Sequence, residues 1–377
     1  MRLQLTFNTK KLIKKVNSAK EFYEVKESEN KILAIKKYKN KRGSPFSSIL
    51  PKEIYISPEA VGLIVGEGFI GKSHFVFANS NKIAIDIILA FLKQFDLPIK
   101  FYLEISIKGK SKKFIKECIS FWEKHLRIKI NRVRLRKEFY NSGNKGTIHI
   151  GVYNTLLAKL LKQVIQISKK KIESSRNLSI GYLKGIIAAE GNVNIKKSTK
   201  CVYMVRISAS KQEERDHYKR DLEKVGINVF CSDMKTITPE EGIKMGWKTT
   251  KGRAGAVIIS RWDNFVKIFE LDLLELNKDK QNKFLYYFIN NKFTKEFLDF
   301  EYFLNKKFTM EEAQLYFKLK GRYLGRVITL YKKGYISRKK KNNRKRILYH
   351  LTKKYTSLYN KFIKEGASYR PTNAPPI

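Results

Sequence analysis

Cysteine is scarce: Cys118, Cys201 and Cys231 are the only three in 377 residues, far apart and with no CxxC pair. That spacing argues against a disulfide framework and a zinc knuckle, and fits a reducing compartment. Histidine is also scarce. The five (His74, His125, His149, His217, His350) form no HxxxH, HExxH or His-Asn-His pattern, so each reads as a core or surface residue rather than a ligand. Long apolar runs are missing too. The opening MRLQLTFNTKKLIKKV has no apolar stretch of the length a signal peptide or membrane span requires, and no later segment supplies one. The expectation is a soluble intracellular protein with no membrane partner.

Acidic residues are the other shortage: 34 Asp plus Glu stand against 79 Lys plus Arg, a formal charge of +45. An excess of that size faces a polyanion, with nucleic acid first in line. A coding bias toward Lys, Ile and Asn would raise the charge without any partner, but such drift raises Glu along with Lys. Apolar residues are plentiful at 42%, with 24 Phe and 20 Tyr. The chain can bury a large core, and its length suggests two or three packed units.

Residues 1–50 mix short apolar runs with Lys-rich turns, end in RGSPFSSILP, and read as a lead-in rather than a domain core. Beyond them two segments repeat one pattern: AVGLIVGEGFI at 60–70 and LKGIIAAEGNV at 183–193. Each follows a helix-start signal, Ser57-Pro58-Glu59 and Ser179, runs apolar for about three turns, and stops at Glu-Gly. The periodicity then becomes alternating, in HFVFANS (74–80) and CVYMVRISAS (201–210). Amphipathic helices are expected at 82–95 and 211–225. Further strands are expected at 99–108, 132–140 and 146–153, with a helix around 112–125 between them, and at 228–237 and 253–260. Closing helices are expected at 154–167 and 261–274. The reading is α+β, a helix-strand-strand-helix-strand-strand-helix unit occurring twice.

Residues 305–364 carry 19 basic against 2 acidic side chains, an excess of 17 positive charges. Their expected order is helix, tight turn, helix, strand, basic turn, strand, which is how a winged helix-turn-helix reads; Arg338, Lys339, Lys340, Arg344, Lys345 and Arg346 lie at the wing. The alternative is a basic helical tail that coats phosphate. YRPTNAPPI reads as a loose tail. The expected segments are therefore 1–50, 51–175, 176–295, 300–365 and 366–377.

The repeated helices place small residues one turn apart, Gly62 and Gly66 in the first and Gly185 and Ala189 in the second. If these faces pack together, the backbones can touch, and Glu67 and Glu190 at their ends come within metal-bridging reach. The two acids stand 123 residues apart, about one duplicated unit. A carboxylate at a helix C-terminus opposes the helix dipole by roughly a few tenths to 1 kcal/mol. Two side by side also repel unless divalent cations neutralise them. Magnesium suits such a pair, with carbonyls of Gly66 and Ala189 beside it. Gly68 and Gly191 fit a left-handed turn at each helix end. An ordinary helix end explains one Glu-Gly easily and two in matching contexts poorly.

Both segments resemble the LAGLIDADG motif of homing endonucleases. Ala60 to Gly68 keeps Gly62-Leu63-Ile64 and the final acid-glycine, and Leu183 to Gly191 matches less literally. The motif's earlier acid is replaced by Val65 and Ala188, and the catalytic acid is Glu in both copies. Over roughly residues 50–290 the resemblance implies a duplicated αββαββα homing-endonuclease fold with pseudo-twofold symmetry, acting as a monomer on a long asymmetric site in double-stranded DNA. It implies Glu67 and Glu190 as catalytic acids holding Mg²⁺, with Mn²⁺ or Ca²⁺ able to substitute in binding. It further implies helper lysines, Lys278 in the second half and Lys169 or Lys170 in the first. Strand residues would contact DNA, Arg132, Arg134 and Arg136 on one face and Tyr203 and Arg206 on another strand, through bases or through phosphate alone. Two other readings remain: a non-cleaving regulator of the same fold, as in sporulation regulators resembling WhiA, and an RNA maturase acting on intron RNA.

Overall fold

A computed structural model describes residues 3–17, 21–38, 47–107, 110–136, 145–238, 241, 252–319, 326–340 and 347–367. The chain forms two compact units. One comprises Met1–Asn192, Arg206–Ile259 and Leu271–Asn277, the other Val193–Val205, Ser260–Glu270 and Lys278–Ile377. The secondary structure is mixed α+β. No described helix is long and apolar enough to cross a membrane.

The first unit opens with β1 (Leu5–Asn8), α1 (Thr9–Val16), β2 (Glu21–Glu27), β3 (Lys31–Tyr38), β4 (Ser47–Pro51) and β5 (Glu53–Ile56). The lead-in expected here is instead folded structure. β2, β3 and β4 form an antiparallel sheet, β1 pairs with β5, and Leu5, Phe7, Leu12, Ile13, Ile32, Ala34 and Leu50 are buried. The apolar runs were short because each strand buries only alternate residues.

α2 (Pro58–Glu67) follows, capped by Ser57, whose hydroxyl accepts from Ala60 N, with proline at the first helical position. Then come β6 (Gly68–Ile70), β7 (Phe75–Asn79), α3 (Lys82–Lys93), β8 (Ile99–Ser106), α4 (Lys112–Leu126), β9 (Val133–Arg136), β10 (Thr147–Val152) and α5 (Thr155–Glu173). Asparagine and serine side chains cap α3, α4 and α5 at Asn81, Ser111 and Asn154. The sheet order is β6-β7-β10-β8-β9, antiparallel except for the parallel pair β8 and β9, which α4 connects. Phe75, Phe77, Ile148 and Ile150 are fully buried on one face.

The chain continues through α6 (Arg176–Glu190), β11 (Gly191–Lys196), β12 (Cys201–Ala209), α7 (Gln212–Lys224), β13 (Val229–Ile237), β14 (Gly252–Ile259) and α8 (Trp262–Glu270). Its sheet runs β11-β12-β14-β13. Both sheets thus follow the order first, second, fourth, third of the strands they share, and among the described residues β9 has no counterpart in the later one. α6 starts earlier than expected: Ser175 is its cap, accepting from Leu178 N at 3.5 Å. Ser179 lies one turn inside, wholly buried, and donates to Ile172 O at 3.1 Å and Asp221 Oδ1 at 3.0 Å. A serine that bonds the preceding helix and a buried carboxylate imitates a start signal.

α8 belongs to the second unit with α9 (Lys278–Ile289), α10 (Lys292–Asp299), α11 (Met310–Leu319), α12 (Arg326–Lys332), β15 (Ile336–Lys340), β16 (Ile347–Leu351) and α13 (Lys353–Ala367). Its core is aromatic: Phe269 and Phe362 stack at 4.6 Å, and Trp262 packs on Phe293 at 4.5 Å while donating to Thr294 Oγ1 at 3.0 Å. β15 and β16 pair antiparallel. The helix-helix-strand-strand order is as expected for 310–351, but Lys353 to Tyr355, expected as strand, start α13.

Candidate catalytic acids and nucleic-acid face

The two motif helices touch backbone to backbone. A Cβ built on Gly62 would lie 2.3 Å from Tyr182 O and 3.0 Å from Gly185 Cα. One built on Gly185 would lie 2.3 Å from Glu59 O and 2.9 Å from Gly62 Cα. Only glycine fits at either place. One turn on, a Cβ on Gly66 would lie 2.5 Å from Ala189 Cβ and 3.4 Å from Glu190 Cγ. The helices therefore stay in contact to their C-terminal ends, where Glu67 and Glu190, both partly exposed, lie on adjoining turns.

Gly68 and Gly191 are needed for a reason other than the expected left-handed turn. Their backbones are extended, with φ −85° and −75°, a conformation open to any residue. A side chain is excluded by space: a Cβ would lie 2.5 Å from Ile64 O at Gly68 and 2.4 Å from Ile187 O at Gly191. Each glycine lets its chain turn directly from the acid into a strand, β6 or β11.

Asn79, which sequence reasoning missed, holds Glu67. It closes β7 on the buried face and is 7% exposed. Its Oδ1 accepts from Asn81 N at 2.7 Å, which fixes the orientation of the amide, and its Nδ2 donates to Glu67 Oε2. Asn81 in turn caps α3 at Ile83 N and donates from Nδ2 to Leu276 O. The signal was a polar residue in step with Phe75 and Phe77, where alternation calls for an apolar one. In the other half Ala209 stands two residues before the helix cap Lys211, as Asn79 stands before Asn81. Alanine has no donor to offer Glu190. The nearby phenol of Tyr218 is held well above its ordinary pKa by burial first, then by the charges of Glu214 and Glu190.

Two hard-oxygen side chains at adjoining helix ends fit a magnesium ion that takes its remaining ligands from water and phosphate. Among the described residues no group of three or more His, Cys, Asp or Glu side chains forms a self-sufficient metal cage.

Arg132, Arg134 and Arg136 share a face, as their spacing implies. Arg132 lies 5.6 Å over the Tyr102 ring, Arg136 Nε is 2.7 Å from Glu104 Oε1, and Arg134 Nη1 is 4.0 Å from Glu104 Oε2. His149, whose pKa burial lowers to about 4, stacks on Tyr102 at 4.0 Å on this face. At its far end, Tyr153 stacks on His74 at 5.7 Å under the Lys100 ammonium. Tyr203 and Arg206 are both exposed on β12 although three residues apart, because the alternation of burial slips by one near Met204.

Lys169 is partly buried on α5; burial lowers its pKa, and Glu214, Glu173 and Asp221 are the acids that oppose the shift. Lys170 is exposed. Lys278 is exposed at the start of α9 and donates to Gln281 Oε1 at 2.9 Å. Arg338 on β15 is exposed and lies 4.9 Å over the Tyr331 ring. Lys339 and Lys340 belong to the β15 backbone, and Arg344, Lys345 and Arg346 lie outside the described residues.

No family model and no curated protein matches the chain. Among solved structures, mesophilic variants of the homing endonuclease I-DmoI give a TM-score of 0.32 at 14% identity, covering 58% of this chain and 96% of that one. I-DmoI in complex with DNA and Mn gives 0.31 at 14%, covering 57% and 94%, and its complex with DNA and Ca gives 0.31 at 13%, covering 56% and 86%. Overlap this slight establishes neither fold nor function for this chain.

Proposed function

We propose that the chain is a divalent-metal-dependent DNA endonuclease of the LAGLIDADG homing type, a monomer that cuts both strands of a long asymmetric duplex site inside the cell. The observation that carries this reading is the meeting of α2 and α6: two glycine-faced helices in backbone contact, each ending in a glutamate and then a space-limited glycine. The shared strand order of the two sheets supports a duplicated αββαββα architecture. Among the described residues α4 and β9 have no counterpart in the later half, and a difference of that kind would suit an asymmetric target.

On this reading Glu67 and Glu190 hold Mg²⁺, which when bound stabilises charge on the attacking and leaving oxygens of the phosphodiester. Asn79 keeps the Glu67 carboxylate in one orientation. The basic strands grip the duplex, and the excess of 17 positive charges in 305–364, read as a winged helix-turn-helix, adds phosphate contacts. Lys278 and Lys169 are the helper lysines proposed from the resemblance.

The test is a plasmid library of random duplex inserts incubated with the chain and Mg²⁺, with the cut ends sequenced. A discrete set of cut sites supports an endonuclease. Selective duplex binding with no cutting under any divalent metal would favour the regulator reading, and binding confined to structured RNA the maturase reading.

A further inference from the structure

α1 carries its charge on one side only. Thr9, Leu12 and Ile13 are buried, and Lys10, Lys11, Lys14 and Lys15 hold the exposed half of the helix. The segment it belongs to, residues 1–56, has 14 basic and 5 acidic side chains, and none of the acids is on α1. Glu27 pairs with Lys10 at 2.5 Å and Glu24 with Lys37 at 3.3 Å, while no described acid pairs with Lys11, Lys14 or Lys15. Helix stability does not select this pattern. Lysines three and four apart repel, and Lys10 and Lys11 stand at the positive end of the helix dipole. α1 packs on α5, which adds Lys171 and Lys159, 4.8 Å over the Phe7 ring and 5.8 Å over the Tyr23 ring. α5 in turn packs on α2, and α2 on β7 from the side of Phe75 and Phe77. The lysine face is thus backed by the helices behind the first sheet, whereas Arg132, Tyr102 and His149 lie on the other side of that sheet.

We propose that α1, with the neighbouring lysines of α5, is a second binding face for the phosphate backbone of duplex DNA, separate from the strands, so that one chain holds two duplex segments. The choice of DNA rests on the duplex-binding reading above. The chemistry of the face narrows its partner. Stable binding to a membrane surface takes apolar side chains as well as charge, and those of α1, Leu12 and Ile13, are 3% and 0% exposed. Looped RNA is held through exposed rings and guanidinium planes. α1 has no arginine, and Phe7 and Tyr23 are buried. Lysine ammoniums act as point charges on flexible stems, which suits a regular phosphate backbone of any sequence.

The test counts duplexes per chain. The full-length chain, in EDTA, is saturated with a short labelled DNA duplex and weighed by sedimentation, beside K11Q/K14Q/K15Q and K11R/K14R/K15R. The expected result is one duplex more on the wild type and on the arginine variant than on the glutamine variant, whose remaining duplex binds within a few-fold of wild type. The extra duplex should leave with a slope of log affinity against log salt of roughly −3 to −4.5, about 0.9 for each phosphate contact. Equal counts on the wild type and the glutamine variant overturn the second face and leave duplex binding intact. So does a uniform loss of affinity for every duplex, which would put α1 on the same DNA as the strands. A hairpin RNA that displaces the extra duplex and not the other overturns the choice of partner. A wild type that binds no duplex overturns both this inference and the reading it rests on.

Discussion

Asn79 donates to Glu67 Oε2 through an amide whose other end is pinned by Asn81 N. Ala209, at the matching place in the other half, can make no such bond. Glu67 thus has a positioning bond of a kind that the matching residue in the other half cannot supply. Replacing a residue that orients a metal-binding carboxylate typically costs about 10- to 100-fold in activity or metal affinity. Asn79→Ala should slow cutting of one strand by about that factor and leave the other near the wild-type rate, so nicked circles accumulate before linear plasmid. Equal slowing of both strands would assign Asn79 a general structural role.

The contact between α2 and α6 leaves no room for a methyl group. Gly62→Ala and Gly185→Ala should each destabilise the chain by about 1–3 kcal/mol, the range for forcing bulk into a packed interface. Because the two glycines face each other, with a built Cβ 2.9–3.0 Å from the opposing Cα, the double variant should depart from additivity. Urea unfolding of the four proteins measures this.

His149 titrates with a pKa lowered from 6.5 to about 4, chiefly by burial. The folded state resists protonation that the unfolded chain accepts. This residue therefore costs nothing above pH 6.5, and stability is lost as pH falls from 6.5 toward 4, by about 1–2 kcal/mol after allowance for solvent screening. His149→Gln should flatten that part of the profile of unfolding midpoint against pH. An unchanged slope would place the titration elsewhere.

The meeting of the two helices could be read from the sequence because the same signal stands there twice, a small-residue face before Glu67 and Glu190 and a glycine after each. The reason for the glycines could not: both are extended, and only the packing of Ile64 O and Ile187 O shows that space is what excludes a side chain. The start of α6 was misplaced because Ser179 makes tertiary bonds that mimic a cap. Residues 1–50 passed for a lead-in because the two small sheets they help form bury single alternate residues rather than runs. Asn79 and Glu104 were hidden for a related reason. Asn79 is one polar residue in an otherwise apolar strand, Glu104 shares its strand with Lys100 and Ser106, and the partner of each lies on a different element.

The most direct test of the central claim is strand cleavage of a mapped target plasmid by the wild type, Glu67→Gln and Glu190→Gln in Mg²⁺, with duplex affinity measured in parallel. The account expects each variant to keep duplex affinity within a few-fold and to lose cleavage by at least about 100-fold, a loss of more than roughly 2.7 kcal/mol in transition-state stabilisation. Normal cutting by either variant would contradict it.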